Sequence, residues 1–148
     1  ETYRRRLDEA VDKAGKPFKG NWAVMRHAAV YENERDRAEA MRSIRNVLGQ
    51  FGNLMMKKGH VNNGFPEQVP LAELDGNARV DPDMLEQNLM FGSPAQVIEK
   101  LEAHRSFGAD AFVYYASMGM DMEQQKRSLQ LFIDKVMPAF AEKELAHV

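Results

Sequence analysis

The stretch FGSPAQVIEKLEAHRSFGADAFVYYA, residues 91–116, carries a helix start, a helix stop and a strand in unbroken succession. Ser93 is a capping residue, and Pro94 stands where its missing N–H costs nothing. Gln96, three residues after the cap, completes a capping box. Val97, Ile98, Leu101 and His104 or Arg105 recur on one helical face. Gly108 suits the left-handed position that closes a helix. ADAFVYYA then reads as a strand with SMGMD as the turn at its end, and QNLMFG (87–92) reads as a short buried strand before the helix. Two strands separated by a helix require parallel pairing, joined by a right-handed crossover.

The same logic extends outward. Met122 to Phe140 is periodic as a helix with Leu129, Phe132, Ile133, Val136 and Phe140 inward, and Met137-Pro138 is expected to end its regular turns. Upstream, Trp22 to Tyr31 reads as a strand with apolar residues on both faces, as in a covered parallel sheet. A long helix begins near Glu34, its stripe formed by Ala38, Met41, Ile44, Val47, Leu48, Phe51, Leu54 and Met55. Gly49 and Gly52 weaken that helix and mark a candidate bend. Tyr3, Leu7, Ala10, Val11 and Ala14 give a first helix, stopped by Gly15 and Lys16-Pro17. Residues 57–84, rich in glycine and proline and without sustained periodicity, form a long lid-like loop.

The order is helix, strand, helix, loop, strand, helix, strand, helix: an α/β chain. Three parallel strands close nothing, and each outer strand leaves backbone groups unpaired. The chain also opens at Glu1 directly into a helical pattern, without methionine. Both features lead us to expect a piece of a longer polypeptide.

Composition narrows the chemistry. The 148 residues carry 20 basic and 22 acidic side chains, 44% apolar residues and no cysteine. Disulfides, thiolate metal sites and cysteine nucleophiles are therefore excluded. No apolar run approaches the roughly 20 residues of a membrane span, so no membrane role is expected. Residues 1–58 hold thirteen basic and eight acidic side chains, including Arg4, Arg5 and Arg6. Acids interleave with them and no aromatic stacking pattern accompanies them, so no nucleic-acid binding is expected. Four scattered histidines without carboxylates at ligand spacing argue against a metal site. Glycine-rich nucleotide loops and the hydrolase elbow are absent.

The segment FGSPAQVIEKLEAHRSFGADAFVYYASMG, followed by SLQLFIDKVMPAF, resembles the carboxyl-terminal signature of the bacterial luciferase-like flavin monooxygenases. VYENERDRAEA, VLGQF and KKGHVNN resemble upstream parts of the same family. The resemblance implies a partial (β/α)8 TIM barrel of about three parallel strands, strands 6 to 8 with their helices. Residues 1–148 would be the carboxyl-terminal portion of one barrel domain. It also implies reduced FMN delivered by a separate flavin reductase, oxygen, a flavin C4a-peroxide and a small organic substrate. A cytoplasmic homo-oligomer would be the working form, with the fragment alone inactive. Hydride transfer with a deazaflavin, or a non-catalytic association module, are the alternatives.

By the same comparison the site would sit at the carboxyl ends of the strands. Ser93, Met118 and Gly119 lie there as candidate cofactor contacts, and Phe51 holds the aromatic place in VLGQF. The simpler readings are a helix cap for Ser93 and core packing for Phe51. His27 and His60 are the candidate catalytic residues. A histidine within a strand is more often a hydrogen-bonded core residue, and one in a loop is more often solvated.

Overall fold

The computed structural model describes residues 2–18, 20–56, 60–116 and 119–144. In chain order it contains α1 (Thr2–Ala14), β1 (Ala23–Val30), α2 (Glu34–Met56), β2 (Val61–Asn62), β3 (Phe65–Pro66), α3 (Pro82–Asn88), β4 (Met90–Gly92), α4 (Pro94–Ser106), β5 (Ala111–Tyr115), α5 (Met122–Leu131) and α6 (Pro138–Glu144). Two 3₁₀ turns, Leu71–Leu74 and Ala78–Val80, precede α3, and a π turn, Phe132–Val136, joins α5 to α6. No helix among the described residues is long and apolar enough to cross a membrane.

Local chemistry accounts for the α4 boundaries. The Ser93 Oγ accepts from the Gln96 N–H at 3.4 Å, and the Gln96 Oε1 accepts from the Ser93 N–H at 2.8 Å. Gly92 precedes this box at φ 149°, and a Cβ there would stand 2.9 Å from the Gln96 Cβ. Only glycine lets β4 turn so tightly into the cap.

Three strands form a parallel sheet in the order β4-β1-β5. Ala28, Ala29 and Val30 face Met90, Phe91 and Gly92, while residues Ala23 to His27 face Ala111 to Tyr115. A right-handed connection that steps one way across a sheet covers one face, and one that steps back covers the other. The chain steps from β1 to β4, then back across β1 to β5, and the core divides accordingly. Ala29, Tyr31 and Phe91 pack with Ala40, Met41 and Ile44 of α2 and with Leu74, Val80 and Leu85. Ala28, Val30 and Met90 pack with Val97 and Leu101 of α4 and with Val136.

Three parallel strands flanked by helices are as expected, but their order is not that of consecutive barrel strands. An arc of barrel wall would place β4 between its sequence neighbours, with every helix on one face. Hydrophobic alternation reports which faces are covered and is silent on which strands are neighbours.

Other differences have local causes. α2 continues through Gly49, where a Cβ would lie 2.6 Å from the Leu74 Cδ1. That glycine permits close approach of the 3₁₀ turn and introduces no break. Residues 69–85 are strapped onto α2, with Leu74, Val80 and Leu85 buried and Arg45 donating to the Val80 carbonyl at 3.1 Å and to Asp75 at 2.6 Å. The β2–β3 hairpin is more exposed, with Val61 67% and Phe65 77% exposed, but Asn53 of α2 still donates to the Glu67 carbonyl just after it at 2.8 Å. Pro138 does not end the last helix. The Met137 N–H reaches back five residues to the Phe132 carbonyl at 2.9 Å, and Pro138 then begins α6, where it needs no partner. Along this segment Val136 is buried, whereas Leu129 and Ile133 are exposed rather than inward.

Candidate functional site

Ligands of open parallel sheets bind beyond the carboxyl ends of the strands. Here that end begins with Tyr31, Glu32 and Asn33 after β1, Ser93 after β4, and Gly119 and Met120 after β5. Two side-chain networks organise it.

In the first network, the Tyr31 hydroxyl donates to the Glu86 Oε1 at 2.5 Å, and Arg37 grips the same carboxylate with bonds of 3.2 and 2.8 Å. The Arg37 guanidinium holds the Glu86 carboxyl below the usual carboxylate range. Burial, reinforced by the Glu86 charge, pushes the Tyr31 phenol well above its ordinary value. Tyr31 is thus a fixed donor and Glu86 a fixed anion at neutral pH. Lys100 lies beneath, donating to the carbonyls of Glu86, Leu89 (3.0 Å) and Phe91 (2.7 Å). Its burial lowers its affinity for a proton.

The second network closes the crevice between β1 and β5. The Val30 N–H, unmatched by β5 at this level, donates to the Ser128 Oγ at 2.7 Å, and the Tyr114 hydroxyl shares a 2.7 Å bond with the same oxygen. Gln124 donates to the Asp36 carbonyl at 2.8 Å, and its Oε1 is buried without a partner. Arg127 pairs with the Asp36 carboxylate at 3.0 Å and holds it below the usual range. The crevice, lined by Tyr31, Asp36, Ala40, Met120, Gln124 and Ser128 among others, has no room for a water-sized sphere.

A flavin phosphate demands clustered donors or free cations. Arg37, Lys100, Arg127 and Lys135 are already engaged, Lys135 with Glu32 at 2.6 Å. The free group in the crevice is an acceptor. Among the described residues, this crevice therefore offers no cradle for a flavin phosphate.

The five sequence-nominated residues that are described lie on separate elements. His27 sits midway along β1, half-buried, its ring centroid 4.5 Å from that of Tyr115. Its Nδ1 is buried without a partner, and burial lowers its pKa. His60 is exposed beside the hairpin, in an open surface cleft of about 490 Å³ lined by Asn62, Phe65, Pro66 and Glu67. Phe51 is 56% exposed on α2 and is not core. The Ser93 side chain is engaged in its cap. Gly119, at φ 74°, lies past β5 against Val47. Met118 lies outside the described residues. Among the described residues, no group of three or more His, Asp or Glu is placed to hold a metal. Of the two networks, the sequence marked only Tyr31, at the end of its predicted strand, as lying at the site end.

No protein-family model matches the chain, and no solved structure matches it. The chain is similar to the oxygenase component of the flavin-dependent trigonelline monooxygenase of Acinetobacter baylyi, 27% identical over 122 residues. That alignment covers 82% of this chain and 34% of the relative. The chain thus spans about a third of the length of the curated relative it matches.

Proposed function

We propose that this chain is the carboxyl-terminal part of the oxygenase component of a two-component, luciferase-like flavin monooxygenase acting on a small organic substrate. The observation that carries the reading is the similarity over 122 residues to a flavin-dependent oxygenase component. The parallel α/β architecture and the ordered motifs from Gly92 to Pro138 agree with it. Reduced FMN from a separate reductase would bring the oxygen chemistry when bound. The protein would bind and orient it and exclude water. His27 and His60 remain the candidate acid–base groups, and Phe51, Ser93, Met118 and Gly119 the candidate cofactor contacts. A barrel in the longer protein further requires β5 to leave β1 and pair with β4.

The test uses a longer polypeptide containing this sequence beside the 148-residue chain. The longer protein is expected to bind reduced FMN and to consume oxygen with a small organic substrate, trigonelline being the first to try. The 148-residue chain should bind little or no FMN. A longer protein that accepts only a deazaflavin, or neither cofactor, contradicts the reading.

A further inference from the structure

The cations at the carboxyl ends of the strands are engaged unequally. Arg127 and Lys135 are about half exposed, and each meets a single carboxylate oxygen. Arg37 is one-third exposed and is held along a whole edge. Its Nε and Nη2 donate to the two Glu86 oxygens at 3.2 and 2.8 Å, a fork-to-fork pair that fixes the guanidinium plane. Glu86 is in turn fixed by the Tyr31 hydroxyl at the end of β1. Arg37 stands in the first turn of α2, where its N–H donates to the Asn33 carbonyl at 3.1 Å. These groups follow β1 or belong to α2 and α3, so the arrangement does not depend on which strand β5 pairs with.

The other edge of the same guanidinium is held loosely. The Nη1–Nη2 end carries further N–H donors, and Nη1 donates to one Glu34 oxygen at 3.0 Å. Glu34 is 75% exposed and lies three residues from Arg37 on the helix surface. An exposed pair of that spacing is weak, because water screens it and two long side chains lose freedom to form it. Arg37 and Lys100 outnumber Glu86 by one positive charge, and Glu34 supplies the balance from the surface. We propose that Arg37 anchors a carboxylate of the substrate, which displaces Glu34 and takes the Nη1–Nη2 edge with both oxygens. The anchor rests on the oxygenase reading above and narrows the substrate to a carboxylic acid. A planar carboxylate matches the fork in two parallel bonds, so binding fixes the orientation of the molecule as well as its charge. Arg37 binds and selects; it moves no proton.

The test titrates the longer polypeptide, free of flavin, with trigonelline and with N-methylnicotinamide, which carries a carboxamide in place of the carboxylate. Wild type should prefer the carboxylate by about tenfold or more. Arg37→Lys keeps the charge without the fork and should cut that preference to about threefold or less. Glu34→Gln lies outside the Glu86 contact and removes the competitor. It should tighten trigonelline by about twofold and leave the carboxamide unchanged, a gain that a merely structural Arg37 would not show. Reduced FMN should bind wild type and Glu34→Gln alike. Equal affinity of wild type for the two compounds, binding of neither, an undiminished preference in Arg37→Lys, or weaker trigonelline binding by Glu34→Gln would each overturn the anchor. Tighter FMN binding by Glu34→Gln, with trigonelline unchanged, would assign the edge to the flavin phosphate and overturn it as well. FMN binding without carboxylate preference defeats the anchor and spares the flavin reading, whereas carboxylate preference without FMN binding does the reverse.

Discussion

The two halves of β1 are built to different standards. Its carboxyl half, Ala28-Ala29-Val30, is buried on both faces, gripped by β4 on one edge and by Ser128 on the other. Its amino half, Ala23 to His27, has β5 for a neighbour and one face open, with Met25 56% exposed and the His27 Nδ1 unpartnered. Fold stability is concentrated where the strand meets the helices at the site end. The other end remains a surface that something can cover. A single run of apolar residues thus holds both a core and an open surface.

Substitutions should separate the halves sharply. Phe91→Ala, at a fully buried side chain beside Ala29, is expected to cost about 3–5 kcal/mol in urea denaturation. Ser128→Ala leaves the Val30 N–H buried and unpaired, and should cost about 1–3 kcal/mol. Met25→Ala in the open half should stay within about 0.5 kcal/mol of wild type. A Met25 effect comparable to that of Phe91 would erase the contrast.

The smallest effect is a pH slope. Burial lowers the folded pKa of His27 and, with help from Arg26, that of His104. The unfolded chain therefore binds more protons below the ordinary histidine value, and stability should fall as pH drops from about 6.5 toward 5. Asp36 and Glu86, with folded values below 3.8 and 4.5, add their loss only further down. His27→Gln should flatten the upper part of the slope, read as the urea midpoint against pH. An unchanged slope would show that His27 titrates in water.

What was legible in the sequence was local. Ser93-Pro94-Ala95-Gln96, Gly108 and the apolar runs marked α4, β4 and β5 because caps and periodicity act within a few residues. α3 carries the same kind of signal. Asp81 caps it through the N–H groups of Asp83 and Met84, with Pro82 at its start, but the helix is only seven residues long and offers little periodicity. Gly49 read as a weak point because its reason, Leu74, arrives 25 residues later. The strand order and the Tyr31–Glu86–Arg37 cluster rest on contacts between distant segments. Hydrophobic pattern does not encode those contacts.

The sheet order underlies everything above, and it can be measured directly. Cross-strand nuclear Overhauser contacts in the 148-residue chain should link Val24, Met25 and Arg26 with Phe112, Val113 and Tyr114, and should link Ala29 with Phe91. Contacts joining Met90–Gly92 directly to the strand Ala111–Tyr115 would contradict the account.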